Sequence, residues 1–84
     1  MSLWMKKRNV GIPLAMLSEN ERAIVVELRG GRGLVRRLSE LGFTYGTKVK
    51  VLKSGSPGPV LVDVRGSRIA LGRGVAMKII VSPG

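Results

Sequence analysis

The residues that could do chemistry here are few. The carboxylates are Glu19, Glu21, Glu27, Glu40 and Asp63, and the chain has neither histidine nor cysteine. Without imidazole there is no general base of ordinary pKa near neutrality and no usual zinc or copper ligand. Without thiols there is no disulfide, no thiolate nucleophile and no thiolate metal site. Acid–base work by paired carboxylates needs two carboxyl groups converging across a cleft. Glu19, Glu21 and Glu27 fall in or beside one strand pattern and Glu40 on a helix surface, so nothing marks such a pair. Calcium asks for several clustered oxygens, which the spacing also fails to supply. Of the four methionines, Met16 and Met77 fit core positions, and Met1 and Met5 lie at the start. No cofactor and no intrinsic metal site is expected, and an enzyme is the least supported class.

Two glycine-rich stretches invite an anion. Gly30-Gly-Arg-Gly33 precedes a helical pattern, and backbone amides at a helix start can hold phosphate. No Gly-Lys-Ser/Thr follows at P-loop spacing, so a chain-redirecting turn is the simpler reading. Gly72-Arg73-Gly74 reads as a bend that could offer Arg73 to an acidic partner. The remaining chemistry is cationic. Lysine and arginine number 15 against 5 acidic residues, a formal charge of +10. Lys48, Lys50, Arg65 and Arg68 fall on what would be one outer sheet surface, and Arg36 and Arg37 on the helix. Such a face could neutralise phosphates, although the strands lack the aromatics that stack on single-stranded bases.

The elements that must position these groups follow from periodicity. At 84 residues one domain is the ceiling, and 44% hydrophobic residues suffice for one small core. Met1–Ile12 reads as a basic, flexible lead-in with Lys6, Lys7 and Arg8, and residues 13–84 as the domain. It lacks the apolar stretch of a secretory signal, and no run approaches a membrane span. Pro13–Leu17 suits one helical turn, and Ser18–Glu21 a turn with Asn20 left-handed. Glu21–Leu28 alternates as a strand, with Arg22, Ile24, Val26 and Leu28 on one face. Gly33–Leu41 is the one convincing helix, with Leu34, Leu38 and Leu41 as its stripe. Gly42 then caps it and Phe43 folds back, as in a Schellman motif. Four short strands follow: Thr47–Lys53, Val60–Arg65, Arg68–Leu71 and Met77–Val81. A Gly66-Ser67 turn joins the second and third of these. Leu61 and Ile80 fall outward and could sit in a subunit contact. The expected fold is mainly β: five short strands closing into a small barrel, with one short helix between the first and second.

The order of motifs carries a family resemblance. Pro13-Leu-x-x-Leu17, Glu21-x-Ala23-x-Val25, Arg37-Leu-x-x-Leu-Gly-Phe-x-x-Gly46, Val49-x-Val51, Gly58-Pro59-Val60, Ile69-Ala-Leu71 and Ala76-x-x-Ile79-x-Val81 together resemble the ferrous iron transport protein A (FeoA) family. The resemblance implies an SH3-like barrel and a non-enzymatic, cytoplasmic accessory role in ferrous iron uptake. The implied partner is the transporter FeoB, with its GTP-binding domain. Family-level transition-metal binding comes with the resemblance, as does kinship to the metal-sensing barrels of iron-dependent repressors. Leu38, Leu41, Gly42, Phe43 and Gly46 then read as structural positions. Arg36, Arg37, Tyr45, Ser56, Pro57 and Arg73 are the candidate partner contacts. The rival functions are a basic nucleic-acid-binding barrel on the Lys48/Lys50/Arg65/Arg68 face and a metal-sensing domain.

Overall fold

Valines at alternate positions and glycine-punctuated turns dictate the architecture of the computed structural model, which describes residues 11–55 and 57–83. Among these residues six antiparallel strands occur: β1 (Ile12–Pro13), β2 (Arg22–Leu28), β3 (Lys48–Lys53), β4 (Val60–Val64), β5 (Ser67–Leu71) and β6 (Ile79–Pro83). Their order across the sheet is β1-β6-β2-β3-β4-β5. A single 3-10 turn, Leu14–Met16, follows β1; helix α1 (Arg32–Glu40) joins β2 to β3; a short α2 (Arg73–Ala76) joins β5 to β6. The strand beyond the five expected is β1. Ile12 pairs with Val81 and Pro13 with Ile80, so the sheet takes in Ile12, the last residue of the expected lead-in. Residues 1–10 of that lead-in lie outside the described residues.

The curled sheet encloses one apolar core. Val25, Val51, Val60, Val62, Val64, Ile79 and Val81 point into it, and Leu14, Leu38 and Phe43 close it from the connections. Among the described residues no polar side chain is buried. Two bulges help the sheet to curl, since an extra residue on one strand sharpens its twist. Val26 is inserted in β2 opposite β6, and Leu52 in β3 opposite β4. The first bulge reverses the alternation of β2. Leu28 therefore joins Val25 against the core instead of sharing a face with Arg22 and Ile24.

Several side chains sit differently from expectation. Helix α1 stops at Glu40, so Leu41 is its cap residue and is 42% exposed, while Leu38 is fully buried. Helix α2 and the turn after it occupy residues 73–78, so β6 begins at Ile79 and Met77 is exposed; Met16 is exposed too. Ile80 is buried rather than outward, because β1 packs beside it; a Cβ added at Gly11 would stand 2.4 Å from Ile80 Cγ2. Leu61 is half-buried on the outer face.

The β4–β5 hairpin turns on Arg65-Gly66, one residue earlier than the glycine suggested, with Val64 paired to Ser67. Both turn residues have positive φ, 55° at Arg65 and 86° at Gly66. That is the signature of a type I′ turn, which favours Asn-Gly. A non-glycine residue in this region costs about 1–2 kcal/mol, and asparagine tolerates it best. Arg65→Asn is expected to stabilise the domain by about 1 kcal/mol, which at this size raises Tm by about 4–8 °C. A thermal melt checks this; an unchanged or lowered Tm would contradict it.

Candidate functional site

Cross-strand register brings the cations together. Arg22 stands opposite Lys50, Lys50 opposite Asp63, and Asp63 opposite Arg68. One row across β2, β3, β4 and β5 thus reads Arg, Lys, Asp, Arg. The neighbouring row pairs Ile24 with Lys48, and the Arg65 turn stands beside it. Arg22, Ile24, Lys48, Lys50, Asp63 and Arg65 line an open hollow of about 460 Å³. A second hollow, of about 600 Å³, adjoins it through Lys48 and Arg65 and is walled by Thr44, Tyr45, Gly46 and Thr47. Arg22, Lys48, Arg65 and Arg68 are exposed, and Lys50 is half-buried. Asp63, the one carboxylate in the row, accepts a hydrogen bond from the Gly66 N–H at 3.2 Å. Among the described residues the single ion pair is Arg29–Glu27, and neither residue lines either hollow.

Tyr45 is set on this face by its turn. Thr47 N–H donates to the Thr44 carbonyl at 3.0 Å, and Gly46 has φ 87°, which makes Thr44–Thr47 a type II turn with Tyr45 at its second position. The turn is pinned to β2: Gly46 N–H donates to Val25 O at 2.7 Å, and Val25 N–H to Thr47 O at 2.9 Å. The Thr44 and Thr47 hydroxyls lie 2.6 Å apart. Tyr45 is left 81% exposed.

The other expected contacts form separate groups. Arg73 lies half-buried beneath the loop between β3 and β4, and its guanidinium donates to Ser54 O at 3.1 Å and Gly58 O at 3.4 Å. Its chemistry is that of a brace for the loop. Pro57 is exposed on that loop, and Ser56 lies outside the described residues. Arg36 and Arg37 are exposed on α1 and line neither hollow. Gly30 and Gly31 form the turn into α1, Arg32 and Gly33 open the helix itself, and the N-cap Gly31 makes no side-chain cap bond. Gly42 and Phe43 end α1 as their spacing suggested. Phe43 N–H donates to Leu38 O and Gly42 N–H to Ser39 O, both at 3.0 Å, the bond pair of a Schellman motif.

Sequence reasoning missed Arg22, Ile24 and Asp63 as members of the basic face. The signal was present: once β2 and β3 pair antiparallel with Lys48 and Lys50 outward, the residues opposite them, Ile24 and Arg22, must face the same way. Among the described residues no three His, Cys, Asp or Glu side chains come together. No helix among them is long and apolar enough to cross a membrane.

Comparison with known proteins bears on what this surface serves. The FeoA domain model matches residues 12–83. The chain belongs to the FeoA family. A candidate Fe(2+) transport protein A of Methanocaldococcus jannaschii is 45% identical over 69 residues, 82% of this chain and 83% of that one. A crystal structure of an iron uptake regulatory protein (FeoA) superposes with a TM-score of 0.83 at 32% identity, over 88% of this chain and 99% of the other. FeoA of Stenotrophomonas maltophilia, solved with zinc and described as a prokaryotic SH3 domain protein, superposes with a TM-score of 0.69 at 32% identity, covering 82% of this chain and 87% of that one. The barrel is SH3-like, as the motif order implied.

Proposed function

We propose that this FeoA-family chain is a non-enzymatic, cytoplasmic accessory protein of ferrous iron uptake that binds the cytoplasmic part of the GTP-dependent transporter FeoB. The observation that carries the reading is the whole-domain match to FeoA together with 45% identity to the Methanocaldococcus jannaschii relative, itself named for Fe(2+) transport. The Stenotrophomonas maltophilia relative has been put forward as a ferrous iron transport activating factor. The side-chain inventory favours action through contact rather than through chemistry on iron, since histidine and cysteine are both absent. Exposed Arg36 and Arg37 on α1 and Pro57 on the Arg73-braced loop supply the contacts, away from the sheet cations. Arginine suits such a surface because its planar fork binds carboxylates bidentately.

The test is co-purification with the cytoplasmic domains of the cognate transporter, with and without guanine nucleotide. Association is expected, weakened at least tenfold by Arg36→Glu with Arg37→Glu. No association in detergent extract or in cells would overturn the reading.

A further inference from the structure

The outer sheet face is costly as a purely structural surface. Arg22 and Lys50 face each other directly across β2 and β3, and like charges so placed destabilise a sheet. Lys48, Arg65 and Arg68 add to the same face, and Asp63, which stands opposite both Lys50 and Arg68, sets one negative charge against five cations. The apolar surroundings are as informative. Five large hydrophobic residues are exposed among those described, and two of them border this face. Ile24 and Tyr45 line the two hollows with Lys48.

Cations spread over a broad open face, with aliphatic and phenolic side chains at its rim, match one kind of anion best. A lipid bilayer offers phosphates in a plane and, just beneath them, a boundary that receives Tyr and Leu. A single-stranded nucleic acid would instead call for a series of stacking rings, and among the described residues Tyr45 is the one exposed ring. We propose that this face docks on an anionic phospholipid surface. Arg22, Lys48, Lys50, Arg65 and Arg68 meet the headgroup phosphates, while Tyr45 and Ile24 enter the headgroup boundary. This goes beyond the transporter reading and uses a different surface, and its test contains no transporter, so each stands or falls alone.

The experiment is sedimentation of the full chain with phosphatidylcholine vesicles, with and without phosphatidylglycerol. Binding is expected only with phosphatidylglycerol, and to fall steeply as salt rises. Each basic residue near an anionic leaflet is worth about a fivefold factor in partitioning. Lys48→Gln, Lys50→Gln and Arg68→Gln together should therefore weaken binding about a hundredfold with the melting curve retained. Asp63→Asn, which keeps an oxygen for Gly66 N–H, should strengthen it several-fold, a gain that misfolding would not produce. Equal binding to neutral vesicles, unaltered binding by the triple variant, or no sedimentation with phosphatidylglycerol would overturn the proposal. So would tighter binding of the same face to an RNA or DNA oligonucleotide than to the vesicles.

Discussion

Phe43→Ala is expected to cost about 3–5 kcal/mol, the usual range for deleting a buried ring. Phe43 is fully buried and is the largest such side chain among the described residues. It enters the core from the turn after α1, where its own N–H is held by Leu38 O. The core cannot close on the cavity easily, because much of it belongs to β2, β3, β4 and β6, each paired on both sides. A domain of this size has a total stability near the low end of about 5–15 kcal/mol. The variant should thus be marginal at room temperature and unfolded at cell temperature. Urea denaturation followed by circular dichroism measures it; a loss below about 1.5 kcal/mol would mean that the core collapses around the gap.

Gly42→Val is expected to cost about 3 kcal/mol, by a backbone route. Gly42 has φ 111°, a region that a β-branched residue hardly enters. Holding valine there costs about 1–3 kcal/mol. Releasing it gives up the Gly42 and Phe43 N–H bonds that end α1, each worth about 0.5–1.5 kcal/mol net. Space is short as well, since an added Cβ would stand 3.2 Å from Arg65 Cδ and 3.5 Å from Val64 Cγ2. Because Gly42 aims Phe43, the two losses should not add. A double variant whose unfolding cost equalled the sum of the singles would show that the cap and the ring act independently.

The same hinge shows why parts of the molecule were legible in the sequence. Gly-Phe after a leucine stripe encodes a cap and its packing partner in adjacent letters, and the structure has both. The valines of β3 and β4 are equally plain, since period-2 patterning survives wherever one face is buried. Features set by tertiary pairing were not readable. Two-residue β1 has no period of its own and exists because β6 offers an edge. The Val26 bulge shifts Leu28 to the core without any glycine to announce it. Arg65 takes positive φ although glycine follows it, which displaced the expected turn by one residue. Met77 was misplaced because the turn that ends α2 takes Met77 and Lys78, which an extended reading gave to the strand. The basic face was half legible: Lys48, Lys50 and Arg68 came from alternation, whereas Arg22 and Asp63 needed the register between strands.

The pairing of β1 with β6 sets Ile12 beside Val81. Residues paired in this way are about 5 Å apart at their α-carbons. The point where the chain enters the barrel and the point where it leaves therefore nearly coincide. Such a unit behaves as a cassette. It can be spliced into a surface loop of a host protein without prying that loop open, because entry and exit match the spacing of a tight turn. The host would gain a complete basic barrel on a stalk of two adjacent strands, and the barrel would give up no core contact in the exchange.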